Sequence, residues 1–145
     1  MTISFCGSGK PQGKSRPRFS SRSGAVYTPR KTKAYESRIA IAYQISGGKM
    51  FTGKVQVRVF AYFKIPDSWP KKKKEEAADG RIIPGKPDID NILKVVLDGL
   101  NGYAYADDKC VAAVTCSKWY AADGSEGIYG FGVGLEETKG RWRGS

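Results

Sequence analysis

The sequence contains no histidine, and this absence removes several classes of active site. Ser-His and Cys-His nucleophilic sites, imidazole general bases and His-containing zinc sites all need that side chain. The 3 cysteines, Cys6, Cys110 and Cys116, form no CxxC pair, which excludes a four-cysteine zinc site and favours free thiols in a reducing compartment. Acid-base or metal chemistry must therefore rest on carboxylates, lysine, tyrosine or water. Carboxylates select hard cations, chiefly Mg²⁺ with Mn²⁺ as the alternative.

Long apolar stretches are also missing. No run approaches the roughly 18 apolar residues of a membrane-spanning helix, and the first residues lack the apolar centre of an export signal. We therefore expect a cytoplasmic protein without a membrane partner. A length of 145 residues and a hydrophobic content of 40% predict a single domain that spans residues 1–145.

Acidic residues are scarce and unevenly placed. The chain has 25 Lys and Arg against 14 Asp and Glu, and the formal net charge of +11 predicts an anionic partner such as nucleic acid. The first 35 residues hold eight basic residues and no acid, and all eight fall in a Gly-, Ser- and Pro-rich loop over residues 8–33. Such a segment is most often a solvated surface, but the lack of any balancing acid favours contacts with phosphate groups. The residues expected to make these contacts are Lys14, Arg16, Arg18, Arg30 and Lys31.

Hydrophobic periodicity predicts one α+β domain with a mixed or antiparallel sheet and helices packed on it. Glycines alternate with large residues over 128–135, which predicts that another backbone approaches that strand closely. Residues 137–145 are expected to form a flexible tail. The predicted elements are a strand over 2–6, a helix from an N-cap at Thr32 to Gly47, a strand over 54–64, a helix over 71–78, a helix from Asp90 or Asn91 to Gly102, and strands over 110–120 and 128–135.

Negative charge is concentrated in one place, because five of the 14 carboxylates fall between Asp88 and Asp108, in the stretch KPDIDNILKVVLDGLNGYAYADDKCV. Like charges repel one another unless a cation or an unusual protonation state compensates. Each aspartate alone is more often a helix cap or a surface residue. Together they favour a bound Mg²⁺, with Lys94 beside an oxygen of the scissile phosphate.

This stretch resembles the signature of RusA-type Holliday-junction resolvases, a family common in bacterial prophages. The resemblance rests on the PDIDN box at 87–91, Lys94, the DGL triplet at 98–100 and the pair Asp107-Asp108. Residues 13–18, 27–29, 33–36 and 65–69, together with the lysine-rich helix over 71–78, extend it along most of the chain. It implies a RusA-like α+β fold and a Mg²⁺-dependent homodimer. It also implies that the protein cuts two opposed strands of a four-way DNA junction symmetrically in recombination and repair.

The same resemblance implies a role for each residue of the signature. Asp88 and Asp90 correspond to the first two catalytic aspartates and metal ligands, and Lys94 to the essential lysine. Asp108 is expected to be the third aspartate, with Asp107 as the alternative ligand.

Asn91 of the PDIDN box is expected to contact DNA.

On the residues alone, two other functions stay open. One is a metal nuclease for flaps, forks or single strands, and the other is a basic nucleic-acid-binding module whose aspartates are helix caps.

Overall fold

The computed structural model describes residues 2–14, 18–27 and 29–135. The elements are β1 (Thr2–Ser8), β2 (Arg18–Phe19), β3 (Val26–Tyr27), α1 (Arg30–Ile45), β4 (Val55–Lys64), α2 (Lys71–Ala78), α3 (Ile89–Leu100), β5 (Val111–Ala121) and β6 (Gly127–Gly134). Within the described residues, one sheet has the strand order β1-β6-β4-β5, with β4 parallel to β5 and all other neighbours antiparallel. The strands β2 and β3 form a small separate hairpin.

This architecture confirms the predicted α+β class and its mixed sheet. The tail predicted at 137–145 and Arg16 of the basic loop lie outside the described residues. In the part of the chain that the structure describes, no helix is both long and apolar enough to span a membrane.

The core lies between the sheet and the pair of helices α1 and α3. The alternating residues of β4 supply one side of it, from Val55 to Phe63, and each is at most 5% exposed. They share one cluster with Tyr35 and Ile39 of α1 and with the apolar side of α3. The alternation of β4 and the helical period of α3 therefore predict which side of each of these two elements is buried.

Two helices begin at residues other than the predicted ones. α1 begins after Pro29, so that Thr32, the expected N-cap, lies inside the helix and is buried. α3 begins one residue after its N-cap, Asp88, instead of at Asp90 or Asn91. A proline lies at or just before each start: Pro29 is itself an N-cap, and Pro87 precedes Asp88. Because proline fixes φ and has no N–H to leave unpaired, a helix can begin directly after it.

Two of the alternating glycines of β6, Gly130 and Gly132, adjoin aromatic rings and not the predicted backbone. A Cβ added at Gly130 would collide with the ring of Phe5, and one added at Gly132 would lie 2.9 Å from the ring of Phe51. The prediction of a close approach was therefore right about the position and wrong about the partner. The glycines leave room for two core rings that would not fit beside larger side chains.

Candidate active site

Three of the predicted catalytic residues lie along the exposed side of α3. Asp88 is the N-cap, Asp90 belongs to the first turn and Lys94 follows one turn later, and all three side chains are exposed. The opposite side carries Ile92 and Val96, which are fully buried. This amphipathic pattern fixes the rotation of the helix, so the polar residues must face outward. No side-chain hydrogen bond caps the helix start, so the Asp88 carboxylate is not used as a cap.

Asp107 and Asp108 lie where a short 3₁₀ turn, Asp108–Cys110, leads into β5. Oδ1 of Asp107 accepts a hydrogen bond of 3.2 Å from the backbone N–H of Lys109, so this carboxylate caps the turn. A hydrogen bond between the two carboxyl groups lowers the pKa of Asp107 and raises that of Asp108. The cap thus engages one oxygen of the Asp107 carboxylate.

The four aspartates do not form one preformed cluster. Asp88 and Asp90 belong to the start of α3, whose 12 residues span about 18 Å, and Asp107 and Asp108 follow its other end. The nearby charge of Asp98, close to that end, contributes to the raised pKa of Asp108. Over residues 2–14, 18–27 and 29–135, no three Asp, Glu or Cys side chains are close enough together to hold a metal ion.

Asp98, the next acid along α3, is paired within the protein. The Nζ of Lys14 lies 2.7 Å from Oδ2 of Asp98 and 2.9 Å from Oε1 of Glu36 on α1. Gly99 permits this arrangement, because a Cβ there would lie 2.9 Å from the carbonyl oxygen of Glu36 and keep the two helices apart. Burial alone would lower the pKa of Lys14, but its bonds to the two carboxylates outweigh burial and raise it. Lys14, predicted to hold a DNA phosphate, therefore has two carboxylate partners.

The basic loop lies against the start of α3, although it is distant in sequence. The backbone N–H of Lys14 donates a hydrogen bond of 2.9 Å to the carbonyl oxygen of Asn91. A Cβ added at Gly13 would lie 2.7 Å from the Cβ of Pro87, so the loop and the PDIDN box are in direct contact. A cavity of about 430 Å³ lies between them, bordered by Asp88 and Asn91 on the helix side. Arg30 and Lys31 follow in the first turn of α1, and Arg18 begins β2.

Lys118 is a residue of this region that sequence reasoning missed. Its Nζ donates hydrogen bonds to the carbonyl oxygens of Gly85, at 2.8 Å, and Pro87, at 3.3 Å. On the same strand, Sγ of Cys116 lies 3.9 Å from the carbonyl oxygen of Ile89. β5 therefore holds the segment that leads directly into Asp88. The signal present in the sequence was a single charged residue in an otherwise uncharged strand, VAAVTCSKWYA.

Comparison with known proteins identifies the family. The protein-family model described as Endodeoxyribonuclease RusA matches residues 8–128. The chain belongs to the RusA family. That match includes the basic loop, the PDIDN box, Lys94 and the Asp107-Asp108 pair. A curated relative, "Uncharacterized protein YqaN" of Bacillus subtilis (strain 168), is 39% identical over 127 residues, which cover 83% of this chain and 89% of the relative.

Membership of the RusA family makes this protein an endodeoxyribonuclease of the Holliday-junction type. The RusA family that the sequence motifs predict is confirmed. The alternative interpretation of the protein as a non-catalytic nucleic-acid-binding module is wrong. At Asp88, the N-cap of α3, the structure shows no side-chain cap bond.

The ion pairs of Lys14 give a testable contribution to stability. We expect Lys14→Met to lower the free energy of unfolding by about 1 kcal/mol, because it leaves two carboxylates facing each other without a cation. Since the pKa of Lys14 is raised, this contribution is present below the ordinary lysine pKa of 10.5 and is lost only as pH rises past that value. Urea denaturation of the wild type, Lys14→Met, Asp98→Asn and the double variant measures the coupling. A loss no larger than that of Lys10→Met, an exposed lysine of the same loop, would contradict the assignment.

Lys118 gives a second prediction, about positioning. Lys118→Met should leave junction binding unchanged but slow the cleavage of bound junction by roughly 10- to 100-fold, because the segment before Asp88 loses its anchor. Lys118→Arg should restore part of the rate, since it can still donate to both carbonyl groups. Single-turnover cleavage with enzyme in excess separates the two effects. Lys49→Met, which removes the same charge beyond the far end of α1, is the control. Equal rates for the two methionine variants would reject the positioning role.

Proposed function

We propose that this protein resolves four-way DNA junctions in recombination and repair. It acts as a Mg²⁺-dependent homodimer that cuts two opposed strands symmetrically. The observation that carries the proposal is the RusA match over residues 8–128, combined with exposed carboxylates at both ends of α3. A prophage origin and a cytoplasmic location, where the DNA substrate is found, are parts of the same proposal.

The carboxylates of the candidate site suit Mg²⁺, although among the described residues no three of them lie together in the free protein. Mg²⁺ keeps several waters and is usually bound by one or two carboxylates together with substrate phosphates. Asp88 and Asp90 would hold it, and Mn²⁺ could replace it. Asp108, or else Asp107, is the further ligand that the family resemblance implies; because it follows the other end of α3, it could share the ion only after a rearrangement of the free protein. When bound, the ion would activate a water molecule and stabilise the leaving oxygen. Substrate phosphates and water would thus complete the coordination of an ion held by Asp88 and Asp90.

The other side chains have separate tasks in this proposal. Lys94 presents an exposed ammonium group one turn beyond Asp90, where it would neutralise charge that develops on a phosphate oxygen. Lys118 fixes the backbone before Asp88 through the carbonyl oxygens of Gly85 and Pro87. The DNA backbone would be contacted by Asn91 and by the basic residues Arg16, Arg18, Arg30 and Lys31.

The homodimer is supported by the chemistry and by one surface. Symmetric cuts in two strands need two active sites, and each chain carries one set of these aspartates. Half-buried aromatic side chains pair edge to face on the sheet. The ring centroids of Phe60 and Phe131 are 5.9 Å apart, and those of Tyr62 and Tyr129 are 5.4 Å apart. A partly exposed aromatic patch on so basic a protein is the kind of surface that subunits bury.

A substrate panel tests the proposed function. Labelled four-way junction, replication fork and linear duplex are incubated with the protein in Mg²⁺ and in chelator. We expect cleavage of the junction in Mg²⁺, much weaker cleavage of the other two, and none in chelator. Asp88→Asn protein, purified in parallel, controls for contaminating nucleases. Faster cleavage of the fork would instead indicate a nuclease for other branched DNA, and cleavage in chelator would reject the metal.

A further inference from the structure

We propose that the cavity between the basic loop and the start of α3 binds one phosphate group of the DNA backbone, beside the metal-binding aspartates. This proposal rests on the proposed function, because DNA is the ligand. The cavity measures about 430 Å³, which is within the range of small-ligand sites. Four lysines border it together with Asp88 and Asn91, namely Lys10, Lys14, Lys31 and Lys86.

The four lysines differ in what neutralises them. Lys14 is paired with Glu36 and Asp98. Within the described part of the chain, Lys10, Lys31 and Lys86 have no carboxylate within ion-pair distance. Ammonium groups around one cavity repel one another, and an anion bound between them would remove that cost. Among the described residues that border the cavity, Asp88 is the one acid, so this part of the lining has a clear excess of positive charge.

The start of α1 increases the positive potential at the same place. Pro29 caps this helix without a side-chain hydrogen bond, and the first turn contains no acidic residue. Lys31 and Thr32 of that turn border the cavity. The partial positive charge of a helix N-terminus favours phosphate, and here it acts together with the unpaired lysines.

The walls of the cavity are held by contacts that do not involve these three unpaired lysines. Gly13 packs on Pro87 and Asn91, and Lys14 bonds both to the backbone of Asn91 and to the carboxylates of α1 and α3. The three unpaired lysines are thus arranged around one fixed cavity. This arrangement fits a shared phosphate better than three independent contacts.

Salt dependence distinguishes one shared phosphate from several. We compare wild type with Lys10→Gln/Lys31→Gln/Lys86→Gln, using a labelled four-way junction in chelator. If the three lysines hold one phosphate, the slope of log affinity against log salt should decrease in magnitude by about 0.9. The control is Lys49→Gln/Lys71→Gln/Lys72→Gln, which removes the same charge from exposed positions elsewhere and should change the slope little. A decrease of about 2.7, the value for three separate phosphates, or a decrease equal to the control, would overturn the proposal.

A second variant changes the cavity without changing charge. A Cβ in Gly13→Ala would lie 2.7 Å from Cβ of Pro87 and 3.0 Å from Cβ of Asn91, so the loop must move away from the helix. We expect the same decrease in slope of about 0.9, with cooperative thermal unfolding retained. Gly85→Ala is the control, because a Cβ there would contact nothing within 4 Å. A wild-type slope for a folded Gly13→Ala protein would overturn the proposal.

These measurements are separate from the test of the proposed function, because binding in chelator does not depend on cleavage. A wild type that binds the junction but does not cut it would reject the proposed function and leave the slopes interpretable. A wild type that binds no DNA would reject both.

Discussion

Asp88→Asn protein should bind the four-way junction as tightly as the wild type, or more tightly, and should not cut it. The substitution removes a ligand for Mg²⁺ and also a negative charge that repels phosphate, so catalysis and affinity change in opposite directions. We expect a loss of at least roughly 10³-fold in single-turnover rate, at or above the 10²- to 10³-fold scale of removing one electrostatic contact to a transition state, because a metal ligand is lost. Asp90→Asn and Asp108→Asn should behave alike.

Asp107→Asn separates the two members of the pair. Because the Asp107 carboxylate caps the turn through Lys109, its replacement should slow cleavage less than Asp108→Asn does. Asp79→Asn, at the exposed C-cap of α2, is the control for loss of one negative charge. If binding fell in step with cleavage for Asp88→Asn, or if cleavage were unaffected, the assignment of these carboxylates to a metal would be wrong.

Lys94→Ala protein should cut bound junction slowly even in saturating Mg²⁺. We expect its single-turnover rate to be roughly 10²- to 10³-fold below that of the wild type. Among the described residues Lys94 has no carboxylate partner, and its exposed position one turn beyond Asp90 leaves the ammonium group accessible to a phosphate oxygen. Lys94→Arg should not restore the full rate, because a planar guanidinium does not replace a compact ammonium group.

The measurement for Lys94 is a Mg²⁺ titration of the single-turnover rate. A shifted midpoint with an unchanged maximum would mean that Lys94 acts on metal binding, which would contradict its role toward phosphate. Lys49→Ala controls for net charge. Wild-type rates for Lys94→Ala would also contradict the role.

Much of the fold follows from local patterns in the sequence. The alternation of β4 and the 3.6-residue period of α3 each predict one buried side, because burial repeats with the geometry of the element. The same period predicts that Asp90 and Lys94 share the exposed side of α3. The two helix starts were misplaced because Thr32 and Asp90 fit a side-chain cap, whereas neighbouring prolines determine where the backbone turns.

What the sequence could not supply were contacts between distant segments. No local sequence pattern shows that Lys14 pairs with Asp98. This ion pair depends on the close packing of α1 on α3, which Gly99 permits. The contact of Gly13 with Pro87 likewise depends on the path of the loop over the helix start. The role of Lys118 was hidden for the same reason, because its partners are backbone carbonyl groups, which carry no sequence signal.

The central claim is paired, Mg²⁺-dependent cleavage of a DNA junction by the aspartates at α3. A supercoiled plasmid with an inverted repeat that extrudes a cruciform tests it most directly. Two opposed cuts within one binding event give linear plasmid, whereas one uncoupled cut gives a nicked circle. We predict that wild type in Mg²⁺ gives linear plasmid and that Asp88→Asn gives neither product. Nicked circles as the sole product, or equal cutting of a plasmid without the repeat, would contradict the account.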